Sequence, residues 1–303
     1  MQLSVIIPVF NQRPSLARCL DALENEIADE EIIVVNGPST DGTSGMVHER
    51  TDVDVLVELS SRNVNVARNV GIRRSQYDGI VLFDPQHLVN PTWATTIRSI
   101  LGTSADAISG PVTTETPMAP FDGSTGGMMA GNLAVTRDAL IALDGFDEYL
   151  TIGGTADFER RFGLQSFRLV WDSDMRVDRQ HGDDPKAAVD AWLHPNAPDW
   201  GTVYRSRTYR ALKNDGLRPV PIGRLLAGAL LDGIRSGQDV LRGNSQASWW
   251  YQNGWAVVRN VATGAWDGLR AQRTDRSGAG NPHGLSQSIE EAVVVDEYDW
   301  RVN

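Results

Sequence analysis

The chain is 303 residues long, 41% hydrophobic and 22% charged, a composition that suits one sizeable globular domain or a domain with a substantial appendage and excludes a disordered or fibrous protein. Lys+Arg 28 against Asp+Glu 39 leaves a net charge of −11, which disfavours attraction to nucleic-acid phosphates, so nucleic acid is not an expected partner. The single Cys19 excludes an intrachain disulfide and a cysteine-based zinc site and fits a reducing compartment.

Only two basic residues are lysines, Lys186 and Lys213, and an acidic, arginine-rich surface suits either a halophilic cytoplasm or a GC-rich genome. Met1 to Val9 has the pattern of a strand rather than of a secretory signal. There is no apolar stretch of about 18 residues. The expected location is cytoplasmic, in solution or at the inner face of the plasma membrane by peripheral contact.

In chain order, β-branched runs alternate with amphipathic stretches: Leu3 to Val9, Pro14 to Asn25, Glu31 to Val35, Gly42 to Arg50 and Val53 to Leu59. A helical Val66 to Gln76 and a strand Gly79 to Phe83 continue the pattern. Runs this apolar predict an α/β fold, a mostly parallel sheet with helices on both faces. Ligand chemistry belongs at the carboxyl ends of such strands, hence in the loops after Val9, Val35 and Phe83.

Beyond Asp106 the expected elements are a strand Ala107 to Val112, a Gly/Met-rich segment Gly123 to Asn132 and a helix Arg137 to Leu143. Strand-like pieces follow at Arg168 to Trp171 and Met175 to Val177. The polar, proline-punctuated Asp183 to Pro198 marks a boundary or a mobile loop. After it, Ile222, Leu225, Leu226, Ala229, Leu230 and Ile234 share a helical face, and an aromatic helix carries Trp249, Trp250, Trp255 and Trp266. These helices either cap the preceding domain or meet a lipid-linked substrate or membrane surface, where tryptophan is favoured. Arg273 to Ser288 has the composition of an exposed linker, and Ala292 to Val295 of a final edge strand. The expected division is 1–182, a helical Trp-rich 183–272 and an extended tail 273–303.

Eight segments occur in an order that resembles glycosyltransferase family 2, nucleotide-sugar enzymes with the GT-A fold. They are Ser4 to Asn11, Glu31 to Thr43, Val66-Ala-Arg-Asn-Val-Gly71, Ile80 to Asp84, Gly131 to Arg137, Gly145-Phe-Asp-Glu148, the Asp157-to-Arg161 spacing and His181. The tail Asp275-Arg-Ser with Asn281-Pro-His-Gly284 resembles haloarchaeal members of that family. The resemblance implies a Rossmann-like GT-A domain with a C-terminal helical extension. It also implies a UDP- or GDP-sugar donor and a divalent Mg²⁺ or Mn²⁺ ion that neutralises the leaving diphosphate. The acceptor would be a glycan or a polyprenyl-phosphate-linked sugar, deprotonated by a carboxylate base.

Carried onto this chain, the resemblance assigns Pro8, Phe10, Asn11, Asn36, Arg68 and Asp84 to the nucleotide, and Asp84, Gln86 and His181 to the metal. The acidic motifs are degenerate. Asn36-Gly37 replaces an acidic pair, and the D-x-D motif becomes Asp84-Pro-Gln86, so metal affinity is expected to be weakened or lost unless His87 or His181 compensates. Gly154-Thr-Ala-Asp157 falls on the base motif and keeps only its last carboxylate. Asp157 is therefore the candidate catalytic base, with Asp147, Glu148 and Glu159 behind it, and its alternative is a salt bridge to Arg161. Asp41 is either a site residue or a helix cap. Two functions stay open: an inverting transferase for cell-surface glycan or glycoprotein assembly, or a catalytically impaired GT-A-fold partner subunit.

Overall fold

The computed structural model describes residues 1–27, 30–113, 127–129, 131–180, 200–219, 223, 227–228, 247–274 and 279–301, with the backbone alone for 247–254. The amino-terminal elements are β1 (Leu3–Val9), α1 (Arg13–Ile27), β2 (Glu31–Asn36), α2 (Thr43–His48), β3 (Val55–Leu59), α3 (Val64–Arg74) and β4 (Gly79–Phe83). Next come β5 (His87–Val89), α4 (Trp93–Ile100), β6 (Ala107–Ser109), β7 (Val112–Thr113), β8 (Asn132–Thr136), α5 (Arg137–Ala142) and α6 (Gly154–Gly163). The remainder is β9 (Leu169–Trp171), β10 (Val177–Arg179), α7 (Trp200–Asp215), α8 (Ala247–Thr274), α9 (Glu290–Val293) and β11 (Val294–Asp299).

The main sheet has eight strands in the order β11-β3-β2-β1-β4-β8-β6-β9, and a small sheet has the order β5-β10-β7. β3, β2, β1 and β4 are parallel, whereas β8 and β11 run against their neighbours. Successive side chains of a strand point to opposite faces. Leu3, Val5, Ile7 and Val9 accordingly pack on one face with Leu16 and Leu20 of α1 and Trp93 and Ile97 of α4. Ile6 faces the other way, toward Val66 and Val70 of α3 and Phe158 of α6. Each such side chain contributes about 1.5–3 kcal/mol on burial. Gly71 lets α3 lie directly on β1, since a Cβ there would sit 2.3 Å from Ile6 Cγ2.

Several elements differ from expectation for identifiable reasons. α3 begins at Val64, because the Asn63 side chain caps it by accepting the Asn65 N–H at 2.9 Å. The expected strand from Ala107 to Val112 breaks at Gly110-Pro111, where the backbone passes so close to Met175 that a Cβ on Gly110 would lie 2.3 Å from the Met175 carbonyl oxygen. Its two halves join different sheets. α4 and α7 have no counterpart among the expected elements.

A final edge strand is present, but as Val294–Asp299 rather than Ala292 to Val295, since Ala292 and Val293 belong to α9; it pairs antiparallel with β3. The expected exposed linker is instead partly internal. Asn281 is buried and its amide donates to the Asp144 and Gly145 carbonyls at 2.7 and 3.2 Å. Asp144 turns with φ 55, and its carboxylate accepts from the Ser286 N–H and hydroxyl. A tight turn with outward carbonyls needs donors, and the tail supplies them.

α7 and α8 cross closely through glycines. A Cβ on Gly264 would lie 2.4 Å from the Arg205 carbonyl, and one on Gly268 2.7 Å from that of Tyr209. Among the described residues no helix is long and apolar enough to cross a membrane. The apolar face from Ile222 to Ile234 lies outside the described residues except at 223, 227 and 228, as does the polar segment 183–198.

Candidate functional site

β1 stands between β2 and β4, so the chain winds away from it in both directions and the carboxyl ends of these strands form a switch-point edge. Pro8 is buried within β1 opposite Val35 and shapes the strand. Phe10 is buried beyond its end, against Gly37, with the exposed Arg62 guanidinium 4.9 Å over its ring. Asn11 is exposed in the left-handed region at φ 51, a conformation asparagine tolerates. Its N–H donates to Ser39 Oγ at 2.9 Å and its Oδ1 accepts the Thr40 N–H at 2.8 Å, so it clasps the loop after β2.

Asn36 is 1% exposed and its amide is spent inside that loop, donating to Ser44 Oγ at 2.9 Å and accepting from Ser39 Oγ at 2.7 Å. Asp41 accepts the Arg13 N–H at 2.9 Å and the Thr43 N–H at 3.1 Å. Burial works against its charge, but these bonds and the Thr43 hydroxyl hold the carboxyl below its ordinary value. Asp41 is not the cap of α2, whose N-cap is Gly42 without a side-chain cap bond; its carboxylate instead ties the first residue of α1 to the first residue of α2.

Arg68, half-buried on the first turns of α3, lies over the Phe146 ring at 5.0 Å. It donates to Asn65 Oδ1 at 3.0 Å and to Thr155 Oγ1 at 3.4 Å. Asp84 is half-buried at the tip of β4, where its Oδ1 accepts the Gln86 N–H at 2.8 Å. Gly131, at φ 83, passes so close to Asp84 that a Cβ would lie 2.5 Å from the aspartate's own.

Among the described residues, the D-x-D position offers a divalent cation one carboxylate, Asp84. Gln86 is buried, and its side-chain oxygen is already taken by the Arg179 guanidinium at 2.6 Å. His87 is buried with Nδ1 3.0 Å from the Gly131 carbonyl oxygen, and burial keeps its pKa below the usual imidazole value against the pull of Asp84. His181 lies outside the described residues. Among the described residues no three His, Cys, Asp or Glu side chains converge to hold a metal ion. A divalent cation of this kind is held by one or two carboxylates together with waters and substrate phosphates, and here a single carboxylate stands beside an amide whose oxygen faces a guanidinium, so the protein's own share of the ligands is reduced.

The base position is closed by packing. A Cβ on Gly154 would fall 2.3–2.6 Å from the Asn65 side chain, whose amide donates to the Leu150 carbonyl at 2.6 Å. Thr155 is 3% exposed. Asp157, with no exposed surface, accepts from Arg161 Nε at 2.8 Å, Lys213 Nζ at 2.8 Å and Asn214 Nδ2 at 2.9 Å. Burial alone would raise its pKa, but the Lys213 and Arg161 charges outweigh that and hold it well below the usual carboxylate range.

Lys213 also pairs with the buried Asp147 at 2.7 Å, and Arg161 donates to the Leu143 and Gly145 carbonyls at 2.6 and 2.8 Å. Two carboxylates and two cations thus form a closed, neutral cluster that fastens α7 to α6. Such a carboxylate has neither the access nor the proton affinity of a general base, and the arrangement favours the salt-bridge alternative for Asp157. Glu148 is also committed, to Asn69, Ser288 and the Ile289 N–H. Of the four carboxylates considered, Glu159 alone is partly exposed, where it accepts the Gly127 N–H at 3.2 Å.

Three residues that matter here carried little sequence signal. Lys213 was marked only by the rarity of lysine, Asn65 precedes the recognisable helix motif, and Arg179 lies in a short strand-like stretch just before His181.

Residues 4–145 match the family model described as glycosyl transferase family 2. Glycosyltransferase AglE of Haloferax volcanii is 24% identical over 196 residues, 57% of this chain and 64% of AglE. Glycosyltransferase GlyA of Streptococcus pneumoniae is 26% identical over 114 residues, 36% of this chain and 16% of that protein. The chain therefore spans less than two thirds of the length of these curated relatives.

Among solved structures, the mannosyltransferase PcManGT of Pyrobaculum calidifontis, in complex with GDP-Man and Mn²⁺, superposes with a TM-score of 0.55 at 20% identity, covering 92% of this chain and 85% of that one. Residues 1–349 of S. aureus TarS with UDP-GlcNAc give 0.58 at 16% identity, covering 92% of both chains. These likenesses show the fold. The motif strands, their winding about β1 and the superpositions show the GT-A fold, and residues 4–145 are similar to glycosyl transferase family 2.

Proposed function

We propose that the protein is an inverting glycosyltransferase that takes a sugar from a UDP- or GDP-linked donor. It passes the sugar to a glycan or polyprenyl-phosphate-linked acceptor in surface glycan or glycoprotein assembly. The observation that carries this reading is that Asn11, Arg68 and Asp84 follow the carboxyl ends of the parallel strands β1, β3 and β4 and remain at least partly exposed. Phe10 and Arg62 form the wall beside β2, Asn11 sets the loop and Arg68 offers positive charge to a phosphate. Asn36 supports that wall from within rather than reading a base. The donors named for PcManGT and TarS, GDP-Man and UDP-GlcNAc, make guanine and uracil nucleotides the first ligands to try.

For the acceptor, the proposal draws on α8. Trp255 and Trp266 are 68% and 71% exposed, with the exposed Arg259, Arg270 and Arg273 on the same helix. Tryptophan beside arginine suits a lipid headgroup layer and thus a peripheral membrane position at the cytoplasmic face. Replacing both tryptophans with serine should release the protein from lipid fractions, and a protein that never sediments with lipid removes this part. Trp249 and Trp250 belong to the same proposal, although their side chains lie outside the described residues.

Calorimetric titration with UDP, GDP and their sugars, in high salt, tests donor binding. A folded protein that binds none of them removes the transferase reading. Where turnover is measured, Asp157→Asn and Glu159→Gln separate the candidate bases. Loss of a general base lowers turnover by about two to four orders of magnitude; the sealed position of Asp157 predicts that Asp157→Asn falls short of that, and a loss of that size makes Asp157 the base after all.

One observation favours a second reading, a catalytically impaired binding or partner subunit of a glycan assembly complex. Asn65 fills the space a side chain at position 154 would need. Donor binding with no turnover on any acceptor supports that reading.

A further inference from the structure

We propose that the Arg179 guanidinium, and not a divalent cation, meets the diphosphate of the donor. This rests on the reading of the strand edge as a nucleotide-sugar site and adds to it the identity of the positive charge. Arg179 ends β10, and antiparallel pairing sets it opposite His87, immediately past Asp84-Pro-Gln86. Its guanidinium therefore arrives at the second position of the acidic motif and donates one hydrogen bond to Gln86 Oε1 at 2.6 Å.

Among the described residues the rest of the fork makes no hydrogen bond. Arginine carries five N–H donors in fixed geometry, matched to carboxylate or phosphate oxygens. Among the described residues Gln86 is its one hydrogen-bond partner, and its Nε is buried with none. Buried donors are ordinarily satisfied, so an orphan beside a half-buried, partly reachable side chain marks a place for an external acceptor.

The neighbours hold that charge in position. Gln180 Nε2 donates to the Ser15 and Pro85 carbonyls at 2.9 and 3.0 Å, and Arg18 Nε donates to Gln180 Oε1 at 2.6 Å. β10, the loop after Asp84 and α1 are thereby clamped together around Arg179.

Charge accounting supports the substitution. An aspartate at 86 would face Arg179 as an ion pair and cancel it. With Gln86, Asp84 and Arg179 sum to zero before any ligand enters, whereas two aspartates without a metal would repel a diphosphate. The exchange of Asp for Gln and the presence of the guanidinium therefore form one device: a fixed cation in place of an exchangeable one.

The test is calorimetric titration of the full chain with UDP and GDP, in EDTA and in Mn²⁺, for the native protein and for Arg179→Ala, Arg179→Lys and Gln86→Asp. Native binding should differ by less than about threefold between EDTA and Mn²⁺. Arg179→Ala should weaken diphosphate binding by about tenfold to a hundredfold, the range of a charge-assisted contact, and leave the free nucleoside unaffected. Arg179→Lys, which keeps the charge and loses the fork, should fall between. Gln86→Asp, which pairs with Arg179 and restores two carboxylates, should bind in Mn²⁺ and lose about tenfold in EDTA.

Native binding that disappears in EDTA and returns with Mn²⁺ overturns the inference and leaves the transferase reading standing. So does Arg179→Ala binding as tightly as the native chain, or Gln86→Asp binding equally in both conditions. A folded native chain that binds neither nucleotide in either condition overturns the transferase reading, and the inference with it.

Discussion

At the carboxyl edge of β1 to β4 the positions that depart from the family's acidic pattern lie beside reachable polar groups, with Asp84, Arg68 and Arg179 all partly exposed. At the start of α6 the departure is packed shut, with Asn65 against Gly154 and Asp157 sealed among Lys213, Arg161 and Asn214. The difference separates two kinds of change. A lost carboxylate at the buried Gln86 leaves the scaffold intact and is answered by the neighbouring Arg179 charge. A lost carboxylate in the interior lets neighbours move into its volume, after which restoring it alone is disfavoured.

The cluster around Lys213 is the firmest point of that contrast, and the largest effect is expected there. Lys213→Met leaves Asp147 and Asp157 buried with one cation fewer, so denaturant unfolding should show a loss of about 3–5 kcal/mol. A loss below about 1 kcal/mol means that the cluster is solvated and that the two ends of the site do not differ as argued.

Acid sharpens the same point. Asp157 has a folded pKa depressed below its unfolded value, so its contribution is present above the ordinary aspartate range near about 4 and is lost as pH falls through and below it. Each such group adds a slope of up to about 1.4 kcal/mol per pH unit in that window. The stability difference between the native chain and Asp157→Asn should therefore shrink between about pH 5 and pH 3. A constant difference shows that Asp157 titrates normally.

Reinstating acid at each end is the next largest effect. Gly154→Glu drives a side chain into Asn65 and should cost about 1–3 kcal/mol through overpacking. Gln86→Asp, also buried but facing the Arg179 guanidinium, should cost less than about 1 kcal/mol, because the ion pair offsets the carboxylate's desolvation. Equal costs at the two positions erase the distinction.

The parallel strands were legible because Leu3 to Val9 and Gly79 to Phe83 alternate between two buried faces, a local pattern that tertiary structure does not alter. The carboxyl edge of the strands was legible as motifs, down to the positions of Asn11 and Asp84 just past β1 and β4. The fates of Asn36 and Asp157 were not, because each is decided by partners far along the chain or by loop closure. Asn36 turns inward only once Ser39 and Ser44 fold back over it, and Asp157 is claimed by Lys213, 56 residues on, from a helix whose docking no local periodicity announces. The tail deceived for a related reason. Asn281-Pro-His-Gly284 has a linker's composition, yet the open carbonyls of the Asp144 turn recruit it.

The smallest expected effect lies at the exposed rim. Arg62 stacks over Phe10 at 4.9 Å from the ring centroid and is itself exposed, so the contact should contribute about 0.5–1 kcal/mol to stability. Arg62→Ala should therefore lower the unfolding free energy by no more than that. A nucleobase seated in the open space left over Phe10 would gain stacking area, while one that normally stacks on the guanidinium would lose it. Fluorescence or calorimetric titration of Arg62→Ala with uridine and guanosine distinguishes the two: tighter binding makes Arg62 a cover over the base pocket, and weaker binding makes it part of the wall.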